Sequence, residues 1–176
     1  MLKLDWGDAQ VWMDTAEILY LRNAENPRGS LPRADYPGTN ELNVANVCAG
    51  YAFELLFKVL VRAGGMQPEP VHEPSAAYEH LKQEDKDAVD RIILKHRWND
   101  SGEFLTYLDK VLCDRDRKYW GRTPKGGNAK TVFSFGEQKC MDALKRLHKE
   151  LSDFAIKRIE DNPDVYEDWP GIGQRL

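Results

Sequence analysis

Acid–base chemistry in this chain falls first to four histidines, His72, His80, His96 and His148. No H-x-x-x-H or H-E-x-x-H spacing joins any two of them, and His72 and His80 lie eight residues apart with a helix start between them, so neither a metal site nor a cofactor is expected. One histidine has an arginine shortly before it: Arg91 precedes His96 in R-I-I-L-K-H. A base and a fixed positive charge near the scissile phosphate are what cleavage at a phosphodiester needs, and His96 with Arg91 or Arg115 are the candidates to supply them, with Arg91 and His96 as the candidate catalytic pair. Five residues of helix turn about 500 degrees, however, so the two side chains diverge by about 140 degrees. His96 then follows Ile92 and Ile93 on the apolar side, and a structural histidine is the expectation unless the helix unwinds before it.

A second candidate is a binding surface. Residues 115–132 carry Arg115, Arg117, Lys118, Arg122, Lys125 and Lys130 against the single acid Asp116, a local charge of +5. The net charge of the chain is -4, so the remaining residues sum to -9. Tyr119 and Trp120 lie among these cations and Phe133 and Phe135 follow, an interleaving of charges and rings that can track a phosphate backbone and stack on bases. The plain alternative is a solvated loop whose rings dock on the protein and whose cations pair with nearby acids. Gly121 to Gly127 is not a phosphate loop, because no Lys-Ser/Thr ends it and no strand precedes it. No serine stands in a G-x-S-x-G context.

The elements that must position these groups are helices. Trp6, Ala9, Met13, Ala16, Leu19 and Tyr20 write one apolar stripe on a helix from Asp5 to Glu25. Pro27, Gly29, Pro32, Pro37 and Gly38 then impose a loop. From Asn40 to Ala63 the chain is nearly all apolar, stopped by Gly64 and Gly65, and its polar exceptions Asn46, Gly50, Glu54, Lys58 and Arg62 recur every four residues. That spacing predicts a central helix with one solvated or internally paired stripe, in which Glu54 and Lys58 have the favourable order for an intrahelical ion pair. A short helix ends near His80 and Leu81, and another carries Ala88, Val89, Ile92 and Ile93 up to His96. Asp100 and Ser101 cap a helix bearing Phe104, Leu105, Leu108, Val111 and Leu112, with Gly121 as its stop. Ser134 and Glu137 have capping-box spacing ahead of a last helix to Glu160, whose stripe includes Leu144, Leu147 and Leu151 with His148 beside it.

At 176 residues, with 41% hydrophobic and 31% charged, the chain suits one globular domain and excludes a disordered or collagen-like polymer. The expected architecture is all-α, an up-and-down four-helix bundle with extra short helices over residues 1–160 and an irregular tail over 161–176. No secretory leader is visible and no apolar run is read as a membrane span. Cys48, Cys113 and Cys140 form no C-x-x-C pair and read as small buried thiols in a reducing cytoplasm.

The run Ala52-Phe53-Glu54-Leu55-Leu56-Phe57-Lys58-Val59-Leu60, followed by the glycine stop, a proline-bearing turn and His72 ahead of Tyr78 and Leu81, resembles the second-helix segment of HEPN domains. The resemblance spans Asn40 to Leu112, and Asp114 to Tyr119 is loosely similar to the Arg-Tyr segment after a later helix of the family. It implies a helical bundle of bacterial toxin, antiviral or RNA-binding systems. Active members are metal-independent ribonucleases with an Arg-x4-6-His motif and a site shared by two protomers. Arg91 and His96 depart from that pattern by lying early in the chain and inside a helix. Two expectations follow: a homodimeric cytoplasmic domain that binds RNA or a cognate partner, with metal-independent endoribonuclease activity left open, or a non-enzymatic protein interaction module. In the second, Tyr166 and Trp169 of the tail are the anchors.

Overall fold

The computed structural model describes residues 6–25, 41–69, 72–96, 98–119 and 138–163. Six helices occur in the order α1 (Trp6–Glu25), α2 (Glu41–Ala63), α3 (Pro74–Glu79), α4 (Gln83–Lys95), α5 (Ser101–Tyr119) and α6 (Gln138–Asp161), and no strand occurs among the described residues. The boundaries follow local chemistry. Gly65 adopts φ 82, a left-handed conformation that suits glycine, and its N–H donates to the Arg62 carbonyl to close α2. Asp100 caps α5 by accepting from the Glu103 N–H at 2.7 Å, while Glu103 reaches back to the Asn99 N–H at 3.1 Å. Asp100→Ala is therefore expected to destabilise the protein by about 1 kcal/mol, a loss that chemical denaturation would register and Asp100→Ser would largely restore.

Helix α2 is the centre, touching α1, α3, α5 and α6. Its polar stripe is not solvated: Asn46, Gly50, Glu54 and Lys58 are all buried. Of the two expectations for the stripe the internally paired one holds, with Lys58 on Glu54, and other helices cover it. At Gly50 the fit is tight, since a Cβ there would stand 3.1 Å from Leu112 Cδ2 and would make that side chain give by a few tenths of an ångström. Val44–Ala63 is long and apolar enough to cross a membrane by length and composition, contrary to the expectation from sequence, and 78% of it is buried inside the protein. Neighbouring helices cover that apolar surface here.

Phe53 meets the Phe104 ring edge-on at 5.0 Å and Gly50 faces Val111 and Leu112, so α2 and α5 run antiparallel. Helix α6 closes the core through Met141, Leu144, Leu147, Leu151 and Ala155, all buried. It is tied to α4 at two points, Arg158 Nε to Asp85 Oδ1 at 2.8 Å and Lys95 Nζ to Glu150 Oε2 at 3.3 Å. The Ser134–Glu137 capping box and most of the tail, including Tyr166 and Trp169, lie outside the described residues.

Candidate functional site

The candidate catalytic pair sits at the end of α4. Helix α4 stops at Lys95, and His96 is its C-cap, with φ -95 and ψ 24. The helix thus does end before His96, but its side chain turns against α6, where Nε2 stands 3.2 Å from Glu150 Oε1 with only 11% of the side chain exposed. Arg91 is exposed on α4. The helical offset separates one from the other: a covered imidazole facing a carboxylate without a hydrogen bond to it, and an arginine in solvent.

The basic segment is reached only in part. Arg115, Arg117, Lys118 and Tyr119 belong to the last turns of α5, so they extend a helix and do not begin a loop. Their side chains, and all of Arg122, Lys125 and Lys130, lie outside the described residues. Because α2 and α5 are antiparallel and Leu112 lies against Gly50, these four positions continue α5 past the level of Gly50 by about 5 to 10 Å at 1.5 Å per residue.

A third location emerges only in three dimensions. Glu54, fully enclosed on α2, accepts from Lys58 Nζ at 2.7 Å and lies 2.9 Å from His72 Nδ1, both through Oε1. A carboxylate oxygen that already accepts from a lysine can only accept again, so His72 Nδ1 is the donor, and in the neutral ring the lone pair sits on Nε2. His72 itself is 47% exposed, on the turn before α3. Glu54 Oε2 is buried and has no hydrogen-bond partner among the described residues. Beside the imidazole, Tyr51 presents a ring at 5.8 Å and 61°, and Trp12 of α1 stacks on Tyr51 at 5.3 Å and 20°. The arrangement is a surface imidazole with its tautomer and orientation set by a buried carboxylate, the geometry a general base requires.

In the sequence, His72 is read as a possible metal ligand and as part of the run that resembles HEPN domains, and Glu54 with Lys58 as a solvated or internally paired stripe; Tyr51 and Trp12 carry no chemical signal there. Two charges four residues apart in an otherwise apolar helix, followed by a histidine after the next turn, were the available clue.

His80, His148 and Cys48 are packed or hydrogen-bonded within the helical assembly. His80 Nδ1 donates to the Ala76 carbonyl at 2.8 Å and Nε2 approaches Glu69 at 3.4 Å. His148 is buried against Phe53, and burial pushes its pKa down to about 4. Burial raises the Cys48 thiol to about 11, far from a reactive thiolate. The side chains of Cys113 and Cys140 lie outside the described residues. Among the described residues no group of three or more His, Cys, Asp or Glu side chains is placed to hold a metal ion.

These features define a small all-helical protein with a histidine–carboxylate pair at its surface. No protein-family model, curated protein or solved structure matches the chain.

Proposed function

We propose that this chain is a HEPN-like domain that binds and cleaves RNA in a bacterial stress or defence setting, acting in the cytoplasm as a homodimer of up-and-down four-helix bundles. One observation supports the reading most: the half-exposed His72 imidazole held at 2.9 Å by the buried Glu54 carboxylate. Within this reading the acid–base role belongs to His72, and His96 with Arg91 is a structural cap beside an exposed cation.

RNA brings its own nucleophile, the ribose 2′-hydroxyl next to each phosphodiester, so one well-placed base starts the reaction. His72 Nε2 takes the proton of the 2′-hydroxyl as the O2′–P bond forms and the P–O5′ bond breaks. That proton is handed on to O5′, leaving a 2′,3′-cyclic phosphate and a 5′-hydroxyl end. In this reading Arg115, Arg117, Lys118, Arg122, Lys125 and Lys130, with Tyr119 among them, are the phosphate-binding residues, a local charge of +5 in a chain whose other residues sum to -9.

The test uses a labelled RNA strand in chelator. Binding is expected to weaken steeply with salt and to weaken again in Arg117→Glu/Lys118→Glu. His72→Ala should keep the binding and lower cleavage by about 100-fold or more, whereas His96→Ala should leave cleavage in place. Cleavage that survives His72→Ala at full rate would overturn the catalytic assignment, and binding indifferent to salt and charge reversal would overturn the RNA reading.

A second reading, a non-enzymatic helix-face interaction module, is favoured by α1, which leaves Val11, Ile18 and Leu21 exposed. Capture of a protein partner that is lost on Val11→Lys/Ile18→Lys, in a protein inert towards RNA, would establish it instead.

A further inference from the structure

We infer that Lys58 is a positioning residue for His72: acting through Glu54, its ammonium is what keeps His72 Nε2 free to take a proton. The use made of that nitrogen rests on the RNA reading above. Lys58 Nζ and His72 Nδ1 share a single oxygen, Glu54 Oε1, at 2.7 and 2.9 Å. Glu54 Oε2 is buried without a partner among the described residues, so both contacts that stabilise this carboxylate fall on the same atom. The Glu54 and Lys58 side chains are enclosed, and water screens neither. Among the described residues no other carboxylate contacts Lys58 or His72. Tyr51 and, behind it, Trp12 form a row of uncharged rings beside the imidazole. Glu73, next in the chain, is exposed, and Asp109 of α5 is engaged by the Ser75 N–H at 3.2 Å. The local balance of charge is therefore set by Glu54, Lys58 and His72.

A carboxylate taken out of water keeps its charge while a positive charge stands beside it. Lys58 supplies that charge, which lets the imidazole stay neutral, give its Nδ1 hydrogen to Oε1 and hold its lone pair on Nε2. Without the ammonium, the pair of Glu54 and His72 takes up one proton in its place. Placed on the imidazole, that proton makes an imidazolium with hydrogen on both ring nitrogens. Placed on the carboxyl, it makes an O–H that donates to Nδ1, and the ring's own hydrogen then sits on Nε2. Both arrangements end with hydrogen on Nε2 and no lone pair for a 2′-hydroxyl. The requirement at position 58 is thus the charge and not the hydrogen bond, since a neutral donor keeps the bond to Oε1 and still leaves the carboxylate uncompensated.

The experiment is nitrogen NMR of the histidine rings in the full chain at about pH 7, with His72→Ala identifying the His72 signals. Trimethylamine N-oxide is present throughout so that weakened variants stay folded. In the unaltered protein His72 is expected to show hydrogen on Nδ1 and a bare Nε2. Lys58→Gln, which keeps a donor and drops the charge, should show hydrogen on Nε2 and lower RNA cleavage by about 100-fold, as loss of the base does. Lys58→Arg, which keeps the charge, should retain the bare Nε2 and most of the cleavage. A bare Nε2 in Lys58→Gln, or hydrogen on Nε2 in the unaltered protein, would overturn the role of Lys58 whatever the cleavage assay shows. The expected ring signals in a protein that cleaves no RNA would support that role and overturn the RNA reading alone.

Discussion

Lys58→Met is expected to destabilise the protein by about 3–5 kcal/mol, as is Glu54→Leu, while the double variant Glu54→Leu/Lys58→Met recovers most of the loss. The reason is burial. Both charges have left water, with 1% of the Glu54 side chain and 7% of the Lys58 side chain exposed, and each is tolerated there because the other stands 2.7 Å away. Removing either leaves an uncompensated charge inside an apolar helix assembly, whereas removing both leaves shapes that pack. An exposed pair at the same spacing would be worth only a few tenths of a kcal/mol. Denaturant titration of the two single variants and the double variant closes the cycle; a double variant as unstable as the sum of the singles would show that the pair is not coupled. The double variant also separates stability from chemistry, because it should stay folded and yet lose cleavage through the unanchored His72.

Acid should destabilise the protein through His148. Its imidazole is buried, lies 5.4 Å from the Phe53 ring, and has Nε2 without a hydrogen-bond partner among the described residues, so the folded state holds the neutral form down to about pH 4. In the unfolded chain the same group takes its proton near pH 6.5. Between those values the unfolded state binds more protons than the folded one, so stability rises with pH across this window and falls as the solution is acidified. The full difference, reached at about pH 4, is roughly 3 kcal/mol. His148→Gln removes the titration, so the gap in stability between the two proteins should be constant above pH 7 and shift in favour of the variant on acidification. A gap that does not change between pH 7 and pH 4 would show that His148 is accessible to protons in the folded state.

Much of the fold is legible in the residues because it depends on short-range pattern. The stripe on α1, the apolar run of α2, the Asp100 cap and the leucine ladder of α6 each specify a helix by period, and the structure has those helices, with both ends of α1 and α2, the start of α5 and the end of α6 within a residue or two of where the pattern puts them. Glycine at 65 stops α2 for a local reason as well. What periodicity could not show is which neighbours a face meets. The stripe Asn46, Gly50, Glu54, Lys58 has the spacing of a solvated face, and it is buried because α5 docks on Gly50 and other elements close over the charges.

The candidate site divides the same way. The Arg91 and His96 spacing is readable, and so is the divergence of the two side chains, since both follow from 100 degrees per residue. That His96 faces Glu150 depends on α6 packing beside α4, which no local pattern encodes. His72 contacts Glu54 from 18 residues away, and Trp12 contacts Tyr51 from 39 away. Composition, charge distribution, the helices and their ends are therefore set by chemistry within a few residues, where backbone period and capping act. The histidine–carboxylate pair and the row of rings exist only once α1, α2 and the turn before α3 are packed together, because contacts between distant residues are made by the fit of whole faces and by desolvation, which act on the folded chain.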